Sequence, residues 1–365
     1  MAGLYIHIPF CASRCIYCGF YSTLHSELQD KYVDALCHEI KLRKERPTIN
    51  TIYLGGGTPS QLSHENLDKL FTFIYKMYRV DAGAEVTMEC NPDDIHDNMF
   101  HNLPVNRVSI GAQTFSDKRL RFLRRRHTAK EVDRAVTLLR QQNIQNISID
   151  LMFGFPGETI ADWKQDICHV LKLRPQHISA YGLMYEEGTP LYRLLLQHKV
   201  KEIDEDRSLA MYDVLVNRLT IEGYEHYEFS NFALPGFRSR HNSSYWHNIP
   251  YIGLGASAHS YDLTTRRWNV SDLLEYMESI NHGSLPYEEE VLNEDTRYND
   301  LITTALRTCE GIDLSMIESS YCEFLLRNAK PYLDRGLLLL ENNHIRFSRA
   351  GIKISNSVMS DLMKV

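Results

Sequence analysis

The sequence predicts an α/β fold in which parallel strands alternate with helices to form a closed or partial barrel. Over the first half of the 365-residue chain, short β-rich runs alternate with longer amphipathic stretches. Repeated units of this kind form a parallel sheet with right-handed crossovers. Glycine or polar residues also follow most of the strand runs, as at the carboxyl-terminal rim of barrels where ligands bind. A doubly wound sheet is the alternative, because periodicity alone does not separate the two architectures.

The predicted elements follow in order along the chain. The strands cover Leu4 to Pro9, Thr51 to Leu54, Glu85 to Cys90, Arg107 to Gly111, Asn146 to Phe153 and His177 to Leu183. The helical patterns between them cover Glu27 to Lys44, Glu65 to Tyr78, Ala129 to Gln142 and Thr159 to Leu173. The first 225 residues are therefore expected to form the main domain.

Three cysteines directly follow the first strand. Cys11, Cys15 and Cys18 have the spacing C-x3-C-x2-C, which allows three thiolates on a short loop to bind one iron–sulfur cluster. A four-iron cluster with three protein ligands leaves one iron open to a small chelating molecule. The alternative is a zinc site completed by His7 or His25. The remaining cysteines are scattered through apolar segments and are expected to be inert.

Glycine or polar residues follow the later strands. The run Gly55-Gly56-Gly57-Thr58 comes after the second strand, and glycine lets a backbone approach a ligand closely. The other rim positions are Glu89, Gln113, Asp150 and Gly182. The run Arg124 to Arg126 ends a helical pattern, where such a run is usually a solvated face that stabilises the helix dipole. One arginine of the run, if aimed at a ligand carboxylate, would make a strong charge-assisted pair.

The pattern changes after Glu187. A helix is predicted from Asp204 to Thr220, and residues 226–290 form an aromatic, irregular segment that is expected to pack on the main domain. Residues 291–365 are expected to form a small winged-helix-like domain. Its predicted helices cover Arg297 to Arg307 and Tyr321 to Asp334, and its hairpin is turned by Asn342-Asn343.

Charge and hydropathy limit the partners. A net charge of −7, without a concentrated basic face, argues against a nucleic-acid partner. No apolar run approaches the ~20 residues needed to cross a bilayer. We therefore expect a cytoplasmic protein, with membrane contact only indirectly through a partner.

Taken together, these motifs resemble those of the radical S-adenosylmethionine superfamily. Within it, HIPFC, GGGTP, IGAQTF at 110–115, LMFGFPGET and GTPLY resemble the oxygen-independent coproporphyrinogen oxidase-like group. The run HNSSYW at 241–246 has the pattern H-N-x-x-Y-W, which resembles the haem-chaperone branch of that group. The match covers nearly the whole chain.

The resemblance implies a partial (β/α)6 barrel that carries a [4Fe–4S] cluster on the three cysteines. S-adenosylmethionine would chelate the open iron, and in this superfamily its reductive cleavage supplies a 5′-deoxyadenosyl radical. Carried over position by position, the residues around the nucleotide are Tyr5, Tyr17, Gly56, Gly57, Thr58, Glu89, Gln113, Arg125, Asp150 and Gly182.

The resemblance also implies haem as cargo and haemoproteins as its acceptors. An electron donor such as flavodoxin or ferredoxin is implied if the radical chemistry is used. His241, Tyr245 and Trp246 are then expected to contact haem, with His241 as the first axial ligand candidate and with His247 and His259 as runners-up. Considered alone, the same segment is a packed aromatic corner with a hydrogen-bonded histidine.

Two departures from the pattern separate this chain from the coproporphyrinogen dehydrogenases, which are the rival interpretation. Those enzymes carry a further cysteine two residues after the third, where this chain has Phe20. They also carry an amino-terminal extension, whereas the cysteine loop here begins close to Met1. The resemblance therefore favours a chaperone without dehydrogenase activity inside a superfamily of enzymes.

Overall fold

The computed structural model describes residues 1–364. Its central feature is a twelve-stranded sheet in which the first six strands are parallel and stand in chain order. The elements of this part are β1 (Ala2–Ile8), α1 (Gln29–Leu42), β2 (Ile49–Gly56), α2 (His64–Met77), β3 (Val80–Cys90), β4 (Arg107–Gln113), α3 (Asp117–Leu123), α4 (Ala129–Gln141), β5 (Asn146–Phe153), α5 (Ile160–Leu173) and β6 (His177–Gly182).

Chain order decides between the two architectures that periodicity left open. A doubly wound sheet reverses its strand order at a switch point, whereas β1 to β6 follow one another without reversal. In the sheet, β1 pairs with β9 and β6 with β8, so β1 and β6 do not meet and the barrel stays open. No α-helix joins β3 to β4, because a 3-10 turn at Pro92–Asp94 and irregular chain make that connection.

The next segment extends the sheet at both edges. Its elements are α6 (Pro190–Leu196), α7 (Glu205–Ile221), β7 (Glu225–Glu228), β8 (Asn231–Ala233), α8 (Arg240–Trp246), β9 (Tyr251–Leu254), β10 (His259–Tyr261), β11 (Thr265–Asn269), α9 (Leu273–Asn281) and β12 (Tyr287–Val291). Strands β8 and β7 continue beyond β6, while β9 to β12 continue beyond β1. The boundary expected between residues 225 and 226 falls inside β7, because this segment is part of the sheet rather than a layer packed on it.

The carboxyl-terminal part has its own hydrophobic core. Its elements are α10 (Glu294–Ala305), β13 (Ile312–Asp313), α11 (Ser319–Asp334), β14 (Leu338–Glu341), β15 (His344–Phe347), α12 (Arg349–Ile352) and α13 (Ser355–Leu362). Ile302, Leu325 and Ile345 are fully buried in this second core. Asn342 and Asn343 turn the hairpin with φ of 50° and 64°, which are left-handed values that asparagine tolerates. Among residues 1–364, no helix has the length and apolarity to cross a bilayer.

Candidate functional site: a cavity at the open end of the barrel

The carboxyl ends of β1 to β6 surround a cavity of about 710 Å³. The structure brings all three motif cysteines to its wall, together with every residue that the sequence predicts around the nucleotide. These are Cys11, Cys15, Cys18, Tyr5, Tyr17, Gly56, Gly57, Thr58, Glu89, Gln113, Arg125, Asp150 and Gly182. The haem candidates His241, Tyr245 and Trp246 are not part of this wall.

The glycine run seats the cysteine loop. Gly57 N donates to Ile8 O at 2.8 Å, and Thr58 N donates to Phe10 O at 2.8 Å, so the two chains run side by side up to Cys11. A Cβ atom on Gly57 would lie 2.6 Å from the carbonyl carbon of Pro9, a distance that real contacts do not reach. Gly57 is therefore required by backbone packing, which adds a reason beyond the ligand approach that the sequence suggested.

The three thiols share the cavity without converging on one point. Cys11 Sγ lies 3.5 Å from Thr58 Oγ1, and Arg125 Nη1 donates to Cys15 Sγ at 3.5 Å. Among residues 1–364, no three or more His, Cys, Asp or Glu side chains are grouped to hold a metal ion. The three cysteines are free thiols at the wall of one cavity, as the ligands of the predicted iron–sulfur cluster must be.

The histidines that the zinc alternative requires are engaged elsewhere. His7 Nδ1 accepts from Tyr5 OH at 3.0 Å, and its Nε2 donates to Tyr21 O at 3.1 Å. His25 is exposed and pairs with Glu27 at 2.9 Å. Because both ring nitrogens of His7 are engaged, the structure argues against His7 as the fourth ligand of a tetrahedral zinc site, whereas His25 uses only Nδ1.

Arg125 reaches the cavity because the preceding helix ends abruptly. Arg124 closes α3 with φ of 60°, which turns the chain so that Arg125 lies inside. Arg125 Nη2 donates to Asn91 Oδ1 at 2.7 Å and to Gly111 O at 2.6 Å. Arg126 instead pairs with Asp93 and Asp94 at the rim. Only Arg125 of the basic run therefore places its charge beside the thiols.

Glu89 is a half-buried carboxyl group of the cavity wall, held by its neighbours. Tyr53 OH donates to Glu89 Oε1 at 2.7 Å, and Gly56 N donates to Glu89 Oε2 at 3.2 Å. Burial raises the pKa of Glu89 to about 7, and the negative charge of Asp150 adds to the rise. Burial also raises the pKa of Asp150, which accepts a hydrogen bond from Ser109 Oγ at 3.2 Å. The cavity thus holds two carboxyl groups that ionise reluctantly.

The raised pKa of Glu89 predicts how stability depends on pH. The folded state binds more protons than the unfolded state between the ordinary pKa of 4.5 and about 7, so the free energy of unfolding falls as pH rises through this window. The expected fall is about 3 kcal/mol. Urea unfolding of the ligand-free protein and of Glu89→Gln, from pH 4 to 8, measures it. The unfolding free energy of Glu89→Gln minus that of the unmodified protein should grow with pH. The same pH dependence in both proteins would contradict the prediction.

The H-N-x-x-Y-W segment closes the opposite end of the barrel. Glu85 on β3 accepts hydrogen bonds from Arg240 N at 3.0 Å and His241 N at 2.9 Å. These bonds fix the start of α8 at this end of the barrel. His241 is 1% exposed, and its ring nitrogens lie 2.8 Å from Thr51 Oγ1 and 2.9 Å from Tyr245 OH. Burial and the nearby Arg107 charge lower its pKa to about 3.

The expectation that His241 is the first haem ligand stays a prediction, and the structure describes the packing of its side chain. Both ring nitrogens of His241 are occupied, and the side chain has no surface for a macrocycle, so here it is the hydrogen-bonded histidine of a packed aromatic corner. Trp246 is covered by the Arg307 guanidinium, 5.2 Å from its ring centre. His247 and His259 are both exposed, and His247 uses only Nδ1, which lies 2.8 Å from Ser243 O.

Several residues of the cavity escaped the sequence analysis. Asn91 and Tyr53 position Arg125 and Glu89, and Arg107 and Asn242 line the deep part of the cavity. One signal was available for Arg107, since it has the same strand parity as Gly111 and must face the same side. Asn242 is part of the H-N-x-x-Y-W motif, but its place in the cavity wall was not predicted, because only the tertiary fold brings α8 to the cavity.

Residues 5–167 match the model of the radical SAM superfamily. The chain is 33% identical over 367 residues to the haem chaperone HemW of Lactococcus lactis, covering 98% of this chain and 96% of that protein. The chain belongs to the HemW family. HemW of Bacillus subtilis is likewise 33% identical to it, over 98% of both chains.

A solved structure supports the fold of this HemW-family chain. The coproporphyrinogen III oxidase HemN of Escherichia coli, described as a radical SAM enzyme, superposes with a TM-score of 0.85 over 100% of this chain and 90% of that one. At 22% identity the likeness concerns the fold alone. The predicted fold class and the resemblance to the haem-chaperone branch are thereby confirmed.

Proposed function

We propose that this protein is a haem chaperone that binds haem and transfers it to acceptor haemoproteins. Membership of the HemW family, with similarity along the full length of the chain, is the observation that carries the proposal. The fold likeness to HemN also suits the rival, a coproporphyrinogen III dehydrogenase. The rival is less well supported, because Phe20 stands where the resemblance places a further cysteine in those enzymes. Phe20 is 75% exposed.

We also propose that a [4Fe–4S] cluster binds to Cys11, Cys15 and Cys18, and that S-adenosylmethionine binds beside it. The family implies both groups, and the free, partly exposed thiols around one cavity fit them. Arg125 would offset thiolate charge near Cys15, because its guanidinium already donates to that sulfur. The backbone of Gly56 to Thr58 and the carboxyl groups of Glu89 and Asp150 would surround the nucleotide.

For haem, we propose His247 as the ligand of the H-N-x-x-Y-W segment. His247 is exposed at the end of α8, and imidazole is a common axial ligand of haem iron. Its Nε2 faces no hydrogen-bond partner among residues 1–364, in contrast to the two occupied nitrogens of His241. Haem would then bind at the surface of the barrel base, away from the cluster cavity.

Titration with haem, followed by the Soret band, tests this proposal. We expect saturable uptake by the unmodified protein and at least a tenfold weaker affinity, with a shifted band, for His247→Ala. His282→Ala is the matched control, since His282 is also exposed at a helix end with Nδ1 2.9 Å from Glu278 O, and it should bind as the unmodified protein does. Absence of uptake would refute haem binding, and unchanged binding by His247→Ala would refute this ligand.

An activity assay separates the chaperone from its rival. The cluster-reconstituted protein is supplied with coproporphyrinogen III, S-adenosylmethionine and a reductant under anaerobic conditions. We expect no protoporphyrinogen. Its formation at a rate that Cys15→Ser abolishes would establish the dehydrogenase instead.

A further inference from the structure

Arg107 is a buried charge at the deep end of the cavity. It is the first residue of β4, its side chain is 1% exposed, and it contributes to the cavity wall. Its Nε and Nη1 have no hydrogen-bond partner among residues 1–364. A guanidinium carries five N–H donors and cannot lose its proton, so it does not escape burial by becoming neutral.

The neighbouring acids do not neutralise Arg107. Glu89 accepts from Tyr53 OH and Gly56 N, while Asp150 accepts from Ser109 Oγ. The positive charge of Arg107 lowers the pKa of both carboxyl groups and so partly offsets the rise caused by burial. Neither carboxyl group makes an ion pair with Arg107. A buried charge without a partner is strongly destabilising, and proteins retain one where a ligand completes it.

The position of Arg107 separates it from the glycine run that is expected to hold the methionyl part of the nucleotide. In the paired strands Tyr53 stands opposite Thr87, and Thr87 opposite Arg107. Arg107 is therefore level with Tyr53 and three residues, or about 10 Å, below Gly56. Two more polar groups lie at this depth. Thr87 Oγ1 is buried without a partner, and Asn242 lines the cavity from α8.

We propose that Arg107 and Asn242 form a binding subsite for the carboxylate of a small organic acid, distinct from the methionyl carboxylate of S-adenosylmethionine. A carboxylate accepts two parallel N–H bonds from one guanidinium, which is the pairing that Arg107 lacks. The side-chain amide of Asn242 supplies a further donor. This subsite lies at the deep end of the cavity, and its existence does not depend on the proposed haem transport.

Calorimetric titration of the cluster-reconstituted full chain with sodium propanoate, against sodium chloride at equal ionic strength, tests the subsite. We expect saturable binding to the unmodified protein and at least a hundredfold weaker binding to Arg107→Met, which has similar length and no charge. Arg107→Lys keeps the charge but not the planar fork, and at least tenfold weaker binding is expected. Arg207→Met, at an exposed arginine of α7, is the matched control and should bind normally.

Thermal unfolding distinguishes a ligand-binding arginine from a structural one. Without propanoate, Arg107→Met should have a melting temperature equal to or above that of the unmodified protein, because it removes an unpaired buried charge. A clearly lower melting temperature would mean that Arg107 holds the fold together and would overturn the proposal.

Competition tests whether the subsite is separate. Propanoate should bind equally well when S-adenosylmethionine is saturating, and displacement by the nucleotide would mean that Arg107 receives its carboxylate, against the proposal. Absence of saturable binding would also overturn it. These measurements contain no haem, so their failure leaves the outcome of the haem titration unaffected.

Discussion

Replacing Cys15 by serine is expected to remove the cluster and the nucleotide together. Three thiolates are the whole protein ligand set proposed for the cluster, and a serine hydroxyl is a poor substitute for a soft sulfur ligand. Iron content after anaerobic reconstitution should fall from about four atoms per chain to less than one. S-adenosylmethionine binding should become undetectable by calorimetry, since the open iron that chelates the nucleotide is lost with the cluster.

The matched control is Cys168→Ser. Cys168 lies on α5 with an exposed side chain and does not line the cavity, so this variant should keep its iron and its nucleotide affinity. Full iron content and nucleotide binding in Cys15→Ser would refute the proposed cluster ligands.

Replacing Arg43 by leucine is expected to cost about 3–5 kcal/mol of unfolding free energy, because it leaves the charge of Glu39 buried without its cation. Glu39 is fully buried and receives a hydrogen bond from Arg43 Nη2 at 2.8 Å. It also accepts from Tyr276 OH at 2.6 Å and from Gly255 N at 2.8 Å. This network ties α1 to α9 and to the chain after β9. Urea unfolding measures the loss.

Two variants sharpen this experiment. Lys44→Leu removes the neighbouring, exposed cation and should change stability by less than about 0.5 kcal/mol. The double variant Glu39→Gln with Arg43→Leu removes the unpaired charge as well and should recover part of the loss. If Arg43→Leu cost no more than Lys44→Leu, the network would not stabilise the fold as described.

Strands with strong hydrophobic patterns were predicted well. The run Asn146 to Phe153 matches β5 at both ends, because its apolar residues are buried, polar residues precede it, and Gly154 and Pro156 follow it. The outer strands were missed. β12 is wholly exposed and contains three consecutive glutamates, so it carries no apolar alternation that a pattern could detect. It is a strand because β11 offers a backbone edge to pair with.

Within the site, the same division holds. The cysteine motif and the glycine run are each a short continuous segment, and each follows a strand whose end must lie at the rim of the barrel. The sequence alone therefore predicted that the two motifs meet at the rim. The basic run at 124–126 was ambiguous, and only the left-handed end of α3 decided that Arg125 turns inward while Arg126 pairs with Asp93 and Asp94.

The sequence by itself determined the alternation of strands and helices, the cysteine loop and the family, because these depend on local periodicity and short-range motifs, whereas the strand order was decided by the tertiary structure. The tertiary structure alone decided the environments of His241 and Arg107. The Nδ1 atom of His241 is hydrogen-bonded to Thr51, which is 190 residues away in the chain. Arg107 lacks a partner because the neighbouring carboxyl groups are hydrogen-bonded to other residues. Whether a polar side chain is free or occupied depends on such distant contacts, which no local pattern encodes.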